Sequence, residues 1–377
     1  MNADEKLLKF RLKNFRSFAD TGDIEIKPIN FLVGANSSGK SSILKFFPLL
    51  KQSIGRRSFN GVFNWYGEDV DFRNFSNTVR TNEKEMSVEI ESNNNLKIAF
   101  EVVKEKKFFD KYKSIFIDSN DYHCFLKKGD MVKSPYDMFM FSREKKYSSD
   151  EKIALAHANG FIWKLAQNIQ YIKPIRAHIE RFCRLRNDST DEIASDGSNL
   201  PTFLYNLTPK KGLEFNEFLN ECFGFGIRLK ISNSNIEILI SEKDSLSRNA
   251  VDMGYGYIEL LPILTTIWLS CSKTDDSLIV IEQPEVHLHP KFQSKFARML
   301  CKVIQKYPNV RFLIETHSET ILNTIGREID YDRANAEDIN VLLIEKKDGI
   351  STVKSTGFDN DGYLKDWPVN FLDEDAD

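Results

Sequence analysis

At 377 residues, 41% hydrophobic and 28% charged, the chain has globular composition and room for two to three domain-sized units, which excludes a fibrous or disordered protein. A formal net charge of −3 excludes a whole-chain electrostatic grip on nucleic acid, so local basic clusters must carry any such activity. Five scattered cysteines without a C-x-x-C pair exclude a disulfide or zinc framework and fit reduced thiols in a cytoplasmic protein. The N-terminus has no apolar signal core, and no run of about 18 apolar residues predicts a membrane span.

Leu7–Phe18 alternates apolar and polar residues, the period of a half-buried strand, and Ile24–Pro28 reads as a second strand. Phe31-Leu32-Val33 is a short buried strand. It runs into Gly34-Ala35-Asn36-Ser37-Ser38-Gly39-Lys40-Ser41, which fits G-x-x-x-x-G-K-[ST]. A helix from Ser42 to about Ile54 completes the strand–loop–helix context that a phosphate cradle needs. Glycines let the loop curl its N–H groups inward, and the helix N-terminus adds partial positive charge. Asn36, Ser37, Ser38, Gly39, Lys40, Ser41 and Ser42 are therefore the candidate nucleotide-binding positions. Lys40 is expected to reach the β/γ-phosphates and the Ser41 hydroxyl to ligate Mg²⁺.

The polar-rich stretch that follows mixes strand-like runs (Met86–Glu91, Leu96–Val103, Ile227–Ile231, Ile236–Ile240) with helical ones (Lys152–Gln167, Leu213–Phe223). It shows no repeat and no sustained heptad seam. Core elements resume with a helix over Tyr257–Ser270 and a strand over Leu278–Ile281. A helix over Lys291–Lys306, a strand over Val310–Ile314, a helix start at Thr320–Ile325 and a strand over Val341–Glu345 follow. That alternation predicts a parallel sheet covered on both faces. The strand at Leu278 ends in Glu282, and phosphate-loop enzymes hold Mg²⁺ on an acid in that position, usually through water.

The segment Glu282-Gln283-Pro284-Glu285-Val286-His287-Leu288-His289-Pro290 resembles the E-[EQ]-P-E-x-x-L-H-P motif of prokaryotic SMC-like/ABC-type AAA-family ATPases, the group containing OLD and RecF proteins. Asn14-Phe15-Arg16-Ser17-Phe18 is similar to their opening strand, and Glu315-Thr316-His317-Ser318 to their switch segment. Tyr171–Arg176 and Asp196-Gly197-Ser198 also match segments of the group. The tail Gly362–Asp373 resembles a subgroup ending in W-P-x-x-F, often found in anti-phage defence systems.

This resemblance implies an α/β, ABC/SMC-head-like phosphate-loop ATPase with a split nucleotide-binding core and a mixed α+β insertion. The corresponding divisions are 1–57 and 249–356 for the core, 58–248 for the inserted lobe and 357–377 for the tail. It implies ATP and Mg²⁺ as cofactors, with Ser41 and Glu282 on the metal. It also implies a homodimer or higher homo-oligomer joined through the ATP sites, and a separate effector such as a nuclease or toxin, because too few residues follow the last core strand for a nuclease domain. Lys40, Glu282, Gln283 and His317 are the implied catalytic set, with His317 sensing the γ-phosphate. The partner's share of each site is a glycine-rich helix start, here Gly254 and Gly256. Glu259 departs from the family pattern and would repel phosphate if it faced it. At position 283 the family usually carries a glutamate as general base. An amide positions water but accepts no proton near neutral pH, which predicts slow turnover.

Four further features read two ways from sequence alone. Arg16 is either a nucleotide contact or a solvated strand charge. Gln52 is either a lid residue at the metal or an exposed helix position. His287 and His289 are either metal ligands or part of the dimer-facing loop. The clusters Lys104–Lys113 and Arg181–Arg186 interleave charge and aromatics, as in nucleic-acid contacts or plain solvated faces.

Overall fold

The structure is a computed structural model that describes residues 5–54, 61–105, 110–127, 131–132, 138–141, 146–185, 191–233, 235–242 and 246–366. Strand β1 (Leu7–Phe15) buries Leu7, Phe10, Leu12 and Phe15. Asn14 and Arg16 then take left-handed backbone, φ 55° and 56°. The strand expected over 7–18 is therefore two, and β2 (Phe18–Asp20) folds back antiparallel on β1. After β3 (Ile24–Glu25), strand β4 (Ile29–Val33) is buried along its whole length and leads into the phosphate loop. Helices α1 (Lys40–Leu44) and α2 (Phe46–Gln52) follow. The single helix expected to reach Ile54 is interrupted at Lys45. Pro48 has no N–H for the Leu44 carbonyl and its ring crowds that carbonyl.

After α3 (Phe75–Thr78) come β5 (Glu85–Ser92), β6 (Lys97–Lys104), β7 (Asp110–Asp118) and β8 (His123–Lys127), an antiparallel meander extending from β1. Strands β9 (Met131–Val132) and β10 (Met140–Phe141) pair with each other. Helix α4 (Ser149–Gln167) starts at a Ser148/Glu151 capping box and leads to β11 (Ile169–Ile172). Next are β12 (Cys183–Arg184), α5 (Leu200–Asn206), α6 (Pro209–Phe223), β13 (Phe225–Ser232), β14 (Asn235–Glu242) and β15 (Arg248–Asn249). The C-terminal half contributes α7 (Tyr255–Cys271), β16 (Ser277–Glu282), α8 (Pro290–Lys306), β17 (Val310–Glu315), α9 (Glu319–Asp330), β18 (Ile339–Lys347) and β19 (Ile350–Thr356).

The main sheet runs β11-β16-β17-β4-β18-β19-β2-β1-β5-β6-β7-β8, with β3 beside β1. Pairing is parallel from β11 through β18. Both faces of this part are covered, as expected. Leu32, Leu278, Val280 and Leu342 face one apolar cluster with α1, α2 and α4. Phe31, Val33, Ile279 and Ile281 face another with α7, α8 and α9. Of the stretch 58–248, expected as an inserted lobe, strands β5–β8 and β11 belong to the main sheet, β9 and β10 form a two-stranded sheet, and β12–β15 form a third. The Trp367–Asp373 motif, Lys106–Phe109 and Arg186 lie outside the described residues.

The meander is tied to the first half of the core by a buried acid. The Asp110 carboxylate accepts N–H groups of Val62 (3.2 Å) and Phe63 (3.4 Å) and the Trp65 indole N–H (3.1 Å). Burial outweighs these bonds and pushes its carboxyl up to about 6. A raised acid favours folding below its unfolded value near 3.8 and loses that contribution as pH rises through 6. Between pH 4 and 6 the wild type should therefore lose about 2 kcal/mol relative to Asp110→Asn. Urea titrations of both chains across that window check this, and parallel pH profiles would contradict it.

Candidate functional site

The phosphate loop closes on itself through positions where only glycine fits. Gly34 has φ 150°, and a Cβ there would lie 2.2 Å from the Ile344 carbonyl oxygen. Gly39 has φ 118°, and its Cβ would come 2.9 Å from the Phe18 ring. Ser351 of β19 pins the loop from outside, its hydroxyl donating to the Ser38 carbonyl at 2.5 Å. The Lys40 ammonium is buried inside the curl and donates to the carbonyls of Gly34 (2.8 Å) and Ala35 (2.7 Å). Burial lowers its pKa, while the nearby Glu315 and Glu285 carboxylates oppose that shift.

The opposite wall comes from the C-terminal ends of two parallel strands. Glu282 on β16 pairs in register with Glu315 on β17, and Glu315 pairs with Leu32 of β4. Both acids are 3% exposed. Burial raises the Glu282 carboxyl, and Lys45 Nζ at 3.4 Å partly offsets this. The Tyr171 hydroxyl donates to the other Glu282 oxygen. Ser41, Lys45 and Tyr171 line one cavity of about 350 Å³, and the last two are the partners of Glu282. Asn36, Ser37, Gly39, Lys40, Ser41, Ser42, Arg16, Gln283 and Glu315 line an adjoining cavity of about 990 Å³. Ser38 is buried beneath it.

The segment 283–287 is shaped by strain and by buried partners. Gln283 is left-handed at φ 45°, and its N–H donates to the Glu315 carbonyl at 2.8 Å. The Glu285 carboxylate accepts the Thr316 hydroxyl (2.9 Å) and the His317 N–H (2.6 Å), and its carboxyl is raised by burial. The His317 imidazole is pushed toward its neutral form by burial and by Lys40. Lys40, Gln283 and His317 thus converge around Glu315 and Glu285.

Gly254 and Gly256 stand apart from this cavity. Gly254 (φ 100°) caps α7, and neither glycine is among the described residues lining the phosphate-loop cavity. Glu259 does not point out from that helix start. It pairs with Arg176 at 3.0 Å and with His287 at 3.5 Å, so its charge is already engaged within the chain.

Several expectations are revised. Gln52 is neither an exposed position nor at the metal-side wall. It is buried, donates to the Asn64 (2.6 Å) and Val70 (2.9 Å) carbonyls and accepts the Val70 N–H (3.0 Å). Arg16 lies in the turn after β1, is exposed over the Phe72 ring and lines the phosphate-loop cavity. His289 caps α8 by accepting the Lys291 N–H, and no group of three or more potential metal ligands occurs among the described residues. Among the described residues of the basic clusters, Lys111 pairs with Glu105 (2.6 Å), Lys113 with Glu85 (2.7 Å) and Arg181 with Asp252 (2.5 Å). Sequence reasoning gave no individual role to Glu315, Lys45 or Tyr171. Glu315 stood in a quoted segment but came into view only when β17 was placed beside β16.

No helix among the described residues is long and apolar enough to cross a membrane. The chain is similar to the SMC head domain from Thermotoga maritima, with 16% identity, 93% of this chain and 98% of that chain covered, and a TM-score of 0.48. It is also similar to an Smc head with an extended coiled coil bound to the C-terminal domain of ScpA, derived from Pyrococcus furiosus (13% identity, 94% and 96% covered, TM-score 0.48). The model of the family described as "AAA domain, putative AbiEii toxin, Type IV TA system" matches residues 29–323. Since that match covers the phosphate loop, both acidic strand ends and the 315–318 segment, the chain belongs to this family of AAA domains.

Proposed function

We propose that the chain binds Mg–ATP, hydrolyses it slowly, and uses the bound nucleotide to hold two copies together as a sensor or scaffold beside a separate effector in anti-phage defence. The observation that carries this is the meeting of the buried Lys40 with Glu315, whose register partner at the end of the neighbouring strand is Glu282. A cation suits this wall. Glu315 Oε2 is buried and has no hydrogen-bond partner among the described residues, and a second buried carboxylate lies beside it. Ser41 and Glu282 would hold Mg²⁺, which neutralises charge on the β- and γ-phosphate oxygens when bound.

In this reading Lys40 leaves its two carbonyl partners for the β/γ-phosphates. The loop N–H groups and the α1 N-terminus take up the remaining charge. Gln283 orients the attacking water without removing its proton, and His317 donates a hydrogen bond toward the γ-phosphate. The helix start at Gly254–Gly256 is offered to the nucleotide of the second copy. The family description, which reads "putative AbiEii toxin, Type IV TA system", supports a toxin–antitoxin setting.

Sizing of the full chain by light scattering tests the clamp. Without nucleotide one mass is expected, and with Mg–ATP twice that mass, persisting longer than one turnover. A chain that binds Mg–ATP yet keeps the same mass would overturn the proposal. Co-purification with the product of a neighbouring nuclease or toxin gene tests the scaffold role.

A further inference from the structure

Arg176 lies between two parts of the molecule that the proposed cycle uses separately. Its side chain is 1% exposed. Nη1 donates to the Glu259 carboxylate at 3.0 Å, and Nη2 donates to the main-chain carbonyls of Glu282 (3.4 Å) and Gln283 (3.3 Å). Glu259 belongs to the first turns of α7, the helix that opens at Gly254. Gln283 is the residue facing water at the chain's own phosphate loop. One planar guanidinium therefore spans the element offered to a partner's nucleotide and the element acting on the resident one.

Both attachments matter physically. A non-glycine residue keeps a left-handed backbone only where its surroundings hold it. At Gln283 (φ 45°) the holding groups are the Glu315 carbonyl on the N–H, and Arg176 together with the Val286 N–H on the carbonyl. Glu259, for its part, is a carboxylate close to a helix N-terminus where phosphate is expected. Arg176 and His287 engage that carboxylate. Without Arg176 much of its charge would return to the surface that must receive an anion.

We infer that Arg176 is a positioning residue that couples the α7 helix start to Gln283, so that engagement of one ATP site is transmitted to hydrolysis at the other. The inference rests on the ATP-clamp reading above. Displacement of the first turn of α7 on meeting phosphate draws Glu259 and the guanidinium with it. The 282–283 carbonyls then move, and the Gln283 side chain swings relative to its water. The coupling needs a fork that reaches both sides. A lysine keeps the charge opposite Glu259 but cannot bridge to both carbonyls.

The test separates the two attachments in the full chain, using light scattering with Mg–ATP for assembly, phosphate release for turnover, and calorimetry with a non-hydrolysable ATP analogue for binding. Arg176→Gln should lose ATP-driven assembly and slow turnover roughly 10- to 100-fold, with analogue binding unchanged. The double variant Arg176→Gln/Glu259→Gln should regain assembly, because the released charge is gone, yet stay slow. Arg176→Lys should assemble normally and also stay slow, and it serves alone if the glutamine variant fails to fold. Wild-type turnover in Arg176→Lys, or a double variant no better at assembly than Arg176→Gln, overturns the coupling. Absence of Mg–ATP binding or assembly in the wild type refutes the clamp reading and the coupling with it. Normal wild-type behaviour with unaffected variants refutes only the coupling.

Discussion

Replacing Lys40 by alanine should abolish the reaction while leaving the protein folded. Lys40 is the cation at the centre of the phosphate loop, with its ammonium on the Gly34 and Ala35 carbonyls at 2.8 and 2.7 Å. The carboxylates acting on it are Glu315 and Glu285, while the remaining cations of the cavity, Arg16, Arg80 and Lys346, are separate from the loop's curl. Without Lys40 a triphosphate would keep the loop N–H groups and those cations but lose the one ammonium inside the curl. Turnover is expected to fall about 100- to 1000-fold, the usual effect of removing one donor from a site that stabilises developing anionic charge. Calorimetry should show a parallel loss of Mg–ATP affinity. An unchanged circular dichroism spectrum separates this from unfolding. Undiminished affinity in the variant would mean that the triphosphate lies elsewhere.

The second large effect has the opposite sign. Gln283→Glu should raise ATP turnover by about 100-fold, within the range that a positioned general base contributes. The backbone at 283 is already fixed by the Glu315 carbonyl and Arg176, so the new carboxylate would occupy the position of the amide. Its neighbours Glu282, Glu285 and Glu315 favour its protonated form, which brings its proton affinity closer to neutral pH and makes it a more effective base. Faster hydrolysis shortens the life of the assembled state, so light scattering should show the larger species decaying sooner. A wild type that already turns over rapidly, with a variant no faster, would remove the basis for a long-lived ATP clamp.

The parts of this site that sequence made legible are those written in consecutive residues. Gly34–Ser41 carries its own strand, loop and helix, and Glu282 ends an apolar run. The neighbours supplied by topology were not legible. Glu315 stands beside Glu282 because β17 pairs with β16 in register, a fact about two strands separated by a helix. Gln52 looked like a solvent-facing helix residue because nothing local reveals that residues 64 and 70 return to bond it. Glu259 looked like an obstacle until Arg176, more than 80 residues upstream, was found against it. The stretch 58–248 read as an inserted lobe from its polar-rich composition and the resemblance. Strands β5 and β6 alternate buried and half-buried positions, which suits a sheet with one wet face and does not reveal that the same sheet continues into the core.

The place of β4 between β17 and β18 sets an order for biosynthesis. A ribosome exposes Ile29–Val33 early, but neither flanking strand exists until residues 310–315 and 339–347 have emerged. Throughout that interval an unpaired, largely apolar segment must be shielded from self-association. Closing so large a loop also makes a slow search, so the nascent chain is a natural client for a chaperone and ATP can lodge only near the end of translation.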